Sequence, residues 1–359
     1  ATLPVGMVGT MPHHTEYEFP ADGMLLANGF AAGTTFLFDL RKPTAPRLVG
    51  HFDSEGPYSF PHSFVRLPNG HLLGTFQGAG RAYRPPGGLV EIDEHGRYIR
   101  SASAVGPGLD STHAWPYSLD VDPAHDRAVV TITEMPTAAW AKMPPGSWTK
   151  ARADSVVTTQ IQVWSLSQLR LLKTIELPVP KGATYNRFPA EPRLLPDGSM
   201  YVNTFNCGLY HLTGVQTPNP QVRLVHTFPY DTTMAGYCSV PVIIGHYLVQ
   251  TVGHIRGLIT LDITNPDKPV EVSRLVLDPK FAMPHWLAAD RAASRVVLTG
   301  DGMGYVLVVN VDPKTGALSL DRNFRDERTG AVAVSLDGRT WPQGAIAKAW
   351  VHGTLFGPR

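Results

Sequence analysis

Four histidines open four copies of one phrase. His14 begins HTEYEFPADGMLL, His62 begins HSFVRLPNGHLL, His113 begins HAWPYSLDVDPAHDRAVV and His285 begins HWLAADRAASRVVL. Each phrase is an alternating stretch, a turn built on Asp, Asn, Gly or Pro, and a second apolar stretch, which is the outline of two antiparallel strands. Residues at one place in successive copies of a closed, repeating fold point to one place in space, so the four imidazoles would converge on an axis. Imidazole suits Cu, Fe, Zn or Ni, and four neutral rings leave one or two coordination positions for substrate or dioxygen. A single buried histidine is more often a core residue satisfied by its neighbours; four in register point to a metal centre.

Other groups gather around these openings. Glu191 opens EPRLLPDGSMYVN at the matching place of a fifth copy, either to hold a ligand ring from the outer shell or to ligate, with a salt bridge to Arg187 or Arg193 as its structural alternative. Tyr58 and Tyr237 flank openings and join Glu191 as candidate catalytic groups. His13 points away from His14 if both lie on a strand; it is an alternative first ligand or part of the pocket. Phe60, Trp115, Phe188 and Trp286 would complete an apolar wall over the metal, although aromatic residues of a β-rich core also pack between sheets. His254 would lie towards the other end of the channel. His51, His71, His95, His125, His211, His226, His246 and His352 read as surface residues of turns and outer strands.

The elements that must position these groups repeat. Copies start at His14, His62, His113, Glu191, Ser239, His285 and about Gln343, mostly about 46 to 58 residues apart, the length of a four-stranded propeller blade. Second halves agree too: TTFLFDLRKPTAPRLVGHF (34–52) matches LITLDITNPDKPVEVSRLV (258–276). One long gap holds MPTAAWAKMPPGSWTKARADS (135–155), a loop expected over one face. Helical periodicity is nearly absent. The expectation is an all-β chain folded as a single seven-bladed β-propeller domain.

Composition bounds the rest. The 359 residues are 43% hydrophobic and 17% charged, enough for a large core, and 34 Gly with 32 Pro favour tight turns over long helices. Lys and Arg (31) balance Asp and Glu (30) with no basic stripe, which leaves no footprint for nucleic acid. No apolar stretch of about 18 residues suggests a membrane span. Cys207 and Cys238 read as two small buried residues, with one bridge as the alternative. The start at Ala1 leans towards a periplasmic or secreted protein, with the cytoplasm as alternative.

With the repeats laid out, the chain resembles the selenium-binding protein family, which includes methanethiol oxidases. The matching pieces are the pair His13–His14, HSFVRLPNG after it, GGLVEID (87–93), QVWSL (162–166), PAEPRLL (189–195) and VDPKTGALSLDRNF (311–324), in the same order over nearly the whole chain. The resemblance implies a seven-bladed propeller and copper-dependent oxidation of a small thiol, with Fe(II) or Zn as alternative ions. Two features depart from it: the family's Cys-rich loop after the His pair is missing, and His285 stands where the family carries another residue. Four histidines spread over separate blades are also similar in arrangement to the carotenoid-cleaving oxygenases, which would imply an iron dioxygenase. The expected function is a metal-dependent oxidoreductase acting on a small apolar, thiol or aromatic substrate with dioxygen. A non-redox lyase or hydrolase at the same site, or a non-catalytic binding propeller, are the alternatives.

Overall fold

A computed structural model of the chain describes residues 12–30, 33–80, 83–134, 159–179, 183, 185–230, 237–281, 283–300, 304–340, 346–347 and 351–357. The loop expected over 135–155 lies outside the described residues. Among them there is no α-helix, and no helix is long and apolar enough to cross a membrane. Two compact units form: Ala1–Glu16, Pro20–Thr204 and Tyr210–Leu224 make the first, and Tyr17–Phe19, Phe205–Leu209 and Val225–Arg359 the second.

Every repeat folds as a four-stranded antiparallel meander, the pattern of a propeller blade. In the first unit, blade 1 is Pro12–Thr15, Met24–Gly29, Thr34–Asp39 and Arg47–Phe52, and blade 2 is Tyr58–Arg66, Leu72–Ala79, Gly88–Ile92 and Tyr98–Ser103. Blade 3 is Pro116–Asp122, Arg127–Ile132, Gln160–Ser165 and Arg170–Glu176. Blade 4, Pro189–Leu194, Met200–Thr204, Gly208–Thr213 and Gln221–Thr227, lies mostly in this unit. The second unit holds blade 5, Val242–Ile244, Tyr247–Val252, Gly257–Asp262 and Val270–Val276, and blade 6, Pro284–Asp290, Arg295–Gly300, Tyr305–Val311 and Leu318–Leu320.

Middle strands are buried on both faces and carry a few buried polar residues among the apolar ones, as in Leu72–Ala79, while fourth strands such as Arg47–Phe52 alternate half-buried and exposed. Apolar layers fill the space between consecutive blades. One layer joins Leu26 and Leu37 of blade 1 to Phe64, Leu72 and Phe76 of blade 2; another joins Val249 and Leu258 of blade 5 to Leu287, Val296 and Leu307 of blade 6.

Among the described residues the structure has six blades where the sequence suggests seven. Among the described residues beyond Leu318–Leu320, the pairings are short: single bridges from Arg325 to Val332 and Ala333, Val334–Ser335 on Tyr305–Val311, and Arg339–Thr340 with Ile346–Ala347. Gln343, the expected seventh opening, lies outside the described residues. The intervening chain does not carry a strand pattern; it wraps around one buried carboxylate. Asp326 accepts from the Arg328 and Ser335 backbone N–H groups (2.9 and 3.0 Å) and from the Arg339 guanidinium (3.0 Å).

First strands are irregular in a repeated way. Register shifts fall at Pro12/Thr15, Pro61/Phe64, Pro116/Leu119, Pro189/Pro192 and Pro284/Trp286. A bulge leaves backbone N–H groups off the ladder, and a polar side chain on the second strand takes them up. The Ser63 N–H donates to Thr75 Oγ1 (3.1 Å), Ser118 to Thr131 (3.0 Å), Glu191 to Asn203 Oδ1 (2.9 Å), Ser239 to Thr251 (3.1 Å), and both His13 and His14 to Asn28 Oδ1 (3.1 and 2.7 Å). The same side chains donate onward to the first strand of the next blade: Asn28 Nδ2 to the His62 carbonyl (2.7 Å), Thr75 to Tyr117 (2.6 Å), Thr131 to Ala190 (2.7 Å) and Thr251 to His285 (3.4 Å).

Thr75→Val removes a hydroxyl that satisfies two buried backbone groups. It is expected to lower unfolding stability by about 2–3 kcal/mol in a urea titration, with Thr75→Ser close to wild type. Glu55 gives a pH test. Burial and the nearby Asp93 carboxylate raise its carboxyl to about 7. The folded protein therefore takes up a proton between pH 4.5 and 7, and the stability this contributes is full at the acid end and lost as pH rises through that window. Glu55→Gln should raise Tm above wild type at pH 8 and leave little difference at pH 4.

Candidate metal centre

In the first unit three imidazoles pack against one another. His13 and His14 stack with ring centroids 4.5 Å apart, and the His62 ring lies 5.2 Å from His13 and 4.2 Å from His14. All three are at most 2% exposed. The bulge makes this possible: with the ladder interrupted between Pro12 and Thr15, successive side chains no longer alternate, so His13 and His14 turn to the same side. The expectation that His13 faces away is corrected by that irregularity.

Each ring is oriented by a neighbour. His62 Nδ1 lies 2.8 Å from the Tyr117 carbonyl, which can only accept, so the proton is on Nδ1 and the lone pair on Nε2. The Ser63 hydroxyl lies 3.0 Å from His62 Nδ1 and 3.2 Å from His14 Nδ1, and a hydroxyl that both donates and accepts can serve either ring. Phe30 stands edge-on to His62 at 5.8 Å, and behind it Phe60, Tyr83 and Trp115 continue an aromatic wall, with Tyr83 5.2 Å from Phe60 and 5.0 Å from Trp115.

Backbone strain marks the entry to these strands. Phe60, Phe188 and Met283 have φ of 58°, 61° and 59°, left-handed values at bulky residues directly before proline, where extended backbone is the norm. Such conformations cost about 1–3 kcal/mol each and persist only where the surroundings impose them.

In the second unit His285 and His352 lie 4.1 Å apart. Ser239 Oγ is 3.0 Å from His285 Nδ1, repeating the role of Ser63, and Tyr237 stands edge-on to the His285 ring at 5.7 Å. His352, expected at the surface, is half-buried. Thr299 Oγ1 donates to its carbonyl (2.5 Å), so His352 stands to blade 6 as His285 stands to blade 5 and Tyr117 to blade 2. Each unit thus holds its own group of imidazoles, His13, His14 and His62 in the first and His285 with His352 in the second.

The remaining candidates fall as follows. His113 is not brought to the group: it lies in the turn before blade 3, its side chain 51% exposed and its Nδ1 3.0 Å from Asp110. Tyr117 occupies the place that His62 has in blade 2. The signal that separates them is a dipeptide, not the histidine: Phe60-Pro61, Trp115-Pro116, Phe188-Pro189 and Met283-Pro284 fix where each first strand begins, and the residue after proline is His62, Tyr117, Ala190 or His285. Tyr58 is in the apolar layer between blades 1 and 2. Trp286 is buried; it stacks on Tyr17 (5.1 Å) and donates from Nε1 to the Thr354 carbonyl (2.6 Å), which fastens the C-terminal segment. His211 is buried rather than at the surface, with Nε2 2.8 Å from Ser199 Oγ. His254 is exposed on the short turn Gly253–Ile255.

Glu191 takes the salt bridge. Its Oε2 accepts from the Ser118 hydroxyl (2.6 Å) and lies 3.2 Å from Arg193 Nη1. Burial pushes the neighbouring Asp120 carboxyl above its ordinary value against the attraction of Arg193. Glu16 forms a comparable pair with Arg66 (2.9 Å), and burial again raises its carboxyl against that pull. Cys207 and Cys238, both buried, are joined in a disulfide.

Compared with protein-family models, the chain matches none. No curated protein is similar to it in sequence. Solved structures are similar in shape. A hypothetical selenium-binding protein from Sulfolobus tokodaii is 15% identical with a TM-score of 0.69, covering 89% of this chain and 81% of its own. The periplasmic gluconolactonase of Pseudomonas aeruginosa is 12% identical with a TM-score of 0.60, covering 86% and 84%. Virginiamycin B lyase from Staphylococcus aureus is 13% identical with a TM-score of 0.53, covering 88% and 85%. At such identities the likeness shows the fold, an all-β propeller.

Ser63→Ala leaves the backbone bulge and its Thr75 contact in place but removes the hydroxyl that lies against the His14 and His62 rings. It is expected to weaken transition-metal binding about tenfold, measured by calorimetric titration, with an unchanged far-UV spectrum.

Proposed function

We propose that the protein is a metal-dependent oxidoreductase acting on a small apolar, thiol-bearing or aromatic molecule with dioxygen. The observation that carries the reading is the gathering of buried imidazoles within the first unit, where the His13, His14 and His62 rings lie with centroids 4.2 to 5.2 Å apart. An all-imidazole donor set suits copper, which we place first, with Fe(II) and Zn as alternatives.

An ion held there would polarise a substrate heteroatom as a Lewis acid, and copper or iron would also exchange electrons. The chain supplies the rest. Ser63 and Ser239 hold the rings in orientation, the bulges aim them, and Phe30, Phe60, Tyr83, Trp115 and Phe188 offer apolar faces that suit an apolar substrate and exclude water. Tyr237, edge-on to His285, is the residue we assign to holding or delivering a proton. Glu191 acts at a distance, through the buried pair that braces blades 3 and 4. The Cys207–Cys238 bridge supports a periplasmic or secreted location, since disulfides persist in oxidising compartments.

A non-redox reading on the same imidazoles draws support from the names of two structural neighbours, a gluconolactonase and a lyase. Protein purified without a His tag is expected to carry close to one equivalent of transition metal, lost in His13→Ala and in His62→Ala. A protein that is metal-free and takes up none on reconstitution overturns the reading, and full metal content in both variants overturns the ligand set. A colourless, EPR-silent, zinc-loaded and active enzyme selects the non-redox alternative.

A further inference from the structure

We propose that a cavity in the second unit, between blades 5 and 6, is a binding site for a small neutral polyhydroxyl molecule of one or two sugar rings. It shares no residue with either group of imidazoles, and the inference stands apart from the metal reading.

The cavity measures about 740 Å3, within the range of small-ligand sites. Two tight turns and a hairpin wall it. In the turn after blade 6's first strand, Asp290 Oδ1 accepts from the Ala293 N–H (3.2 Å) and Ser294 Oγ donates to the Val311 carbonyl (2.7 Å). In the turn after the third strand, Asp312 Oδ1 accepts from the Lys314 and Thr315 N–H groups (2.8 and 2.9 Å). The hairpin belongs to blade 5, where Ile244 pairs with Tyr247. Walls tied in this way are formed before anything enters, so binding orders little of the chain.

Tyr247 is the buried polar side chain among the lining residues, at 3% exposure. The His246 ring packs on it with centroids 4.1 Å apart. Gly316, left-handed at φ 69°, lies so close that a side chain there would begin 2.8 Å from Tyr247 Cδ1 and Cε1. Glycine is needed where that turn meets the phenol. The ring is held by this packing, yet among the described residues its hydroxyl has no hydrogen-bond partner. A buried phenol ordinarily finds one, and a molecule seated in the cavity supplies it.

Charge selects the kind of molecule. Burial, and after it the Asp262 and Asp312 carboxylates, push the Tyr247 phenol above its ordinary value. It therefore stays a neutral donor in a field that repels anions. Arg291 at the rim is paired with Glu18, and Asp312 is occupied by the two N–H groups that it caps. Little charge is left to hold an ion of either sign. Ile244, Val311, Pro313 and Leu318 give the wall apolar faces. A sugar matches this combination, with C–H faces for apolar contact and hydroxyls that both accept and donate.

The test is calorimetric titration of the full-length protein with glucose and maltose as probes, and inorganic phosphate and choline as charged controls. At least one sugar is expected to bind, about tenfold more weakly in Tyr247→Phe, which deletes only the hydroxyl. Binding should vanish in Ala293→Trp, which fills the hollow from its exposed rim. His62→Ala should keep the sugar affinity of wild type, which separates this site from the metal reading. Absence of binding by both sugars overturns the proposal, as does equal affinity in wild type and Tyr247→Phe. Phosphate or choline binding that Ala293→Trp removes, without sugar binding, overturns the neutral class. If Ala293→Trp does not fold, Tyr247→Phe decides the matter alone.

Discussion

The structure depends on a small exchange of hydrogen bonds at the second strand of blades 1, 2, 3 and 5. Asn28, Thr75, Thr131 and Thr251 each accept from the bulged first strand of their own blade and donate to the first strand of the next. A buried amide or carbonyl left without a partner costs about 1–3 kcal/mol, and bulges next to a site create such groups. The short polar side chains remove that cost and lock neighbouring blades with the same atoms. Apolar layers between blades supply bulk stabilisation, but they do not choose which way a first-strand side chain points. The bulge chooses, and the second-strand residue makes the bulge tolerable.

The imidazole geometry follows from this. Two adjacent histidines on a regular strand would diverge; at the blade 1 bulge His13 and His14 stack. Serines one position past the opening, Ser63 and Ser239, then fall within reach of rings from their own or a neighbouring strand. Left-handed Phe60, Phe188 and Met283 show that the chain is held in place at these entries against its local preference.

The fold class was legible because strand alternation and turn chemistry repeat, and His14, His62 and His285 were legible because each begins a repeat. His113 misled for a physical reason: it precedes the aromatic-proline dipeptide that sets where the strand starts, so it falls in a turn beside Asp110. His352 was hidden because no turn and second strand follow it; only the Thr299 contact reveals its position. Asp326 had no sequence signature either: a carboxylate that collects backbone N–H groups folds residues 326–339 into a compact turn, and the expected seventh opening at Gln343 lies outside the described residues. The aromatic wall was half visible: Phe60 and Trp115 flank openings, while Phe30 and Tyr83 arrive from the ends of other strands. Ser63 had no sequence signature, because its role depends on a ring contributed from blade 1.

The division of labour at these openings has an evolutionary consequence. Since main-chain bonding is handled from the second strand, the residue after proline is a socket whose occupant is structurally almost interchangeable: this one chain fills it with imidazole, phenol and methyl groups at His62, Tyr117, Ala190 and His285. A lineage of such proteins could gain, lose or relocate a ligand by single substitutions without dismantling the ring that carries it, and chemistry could diversify faster than architecture.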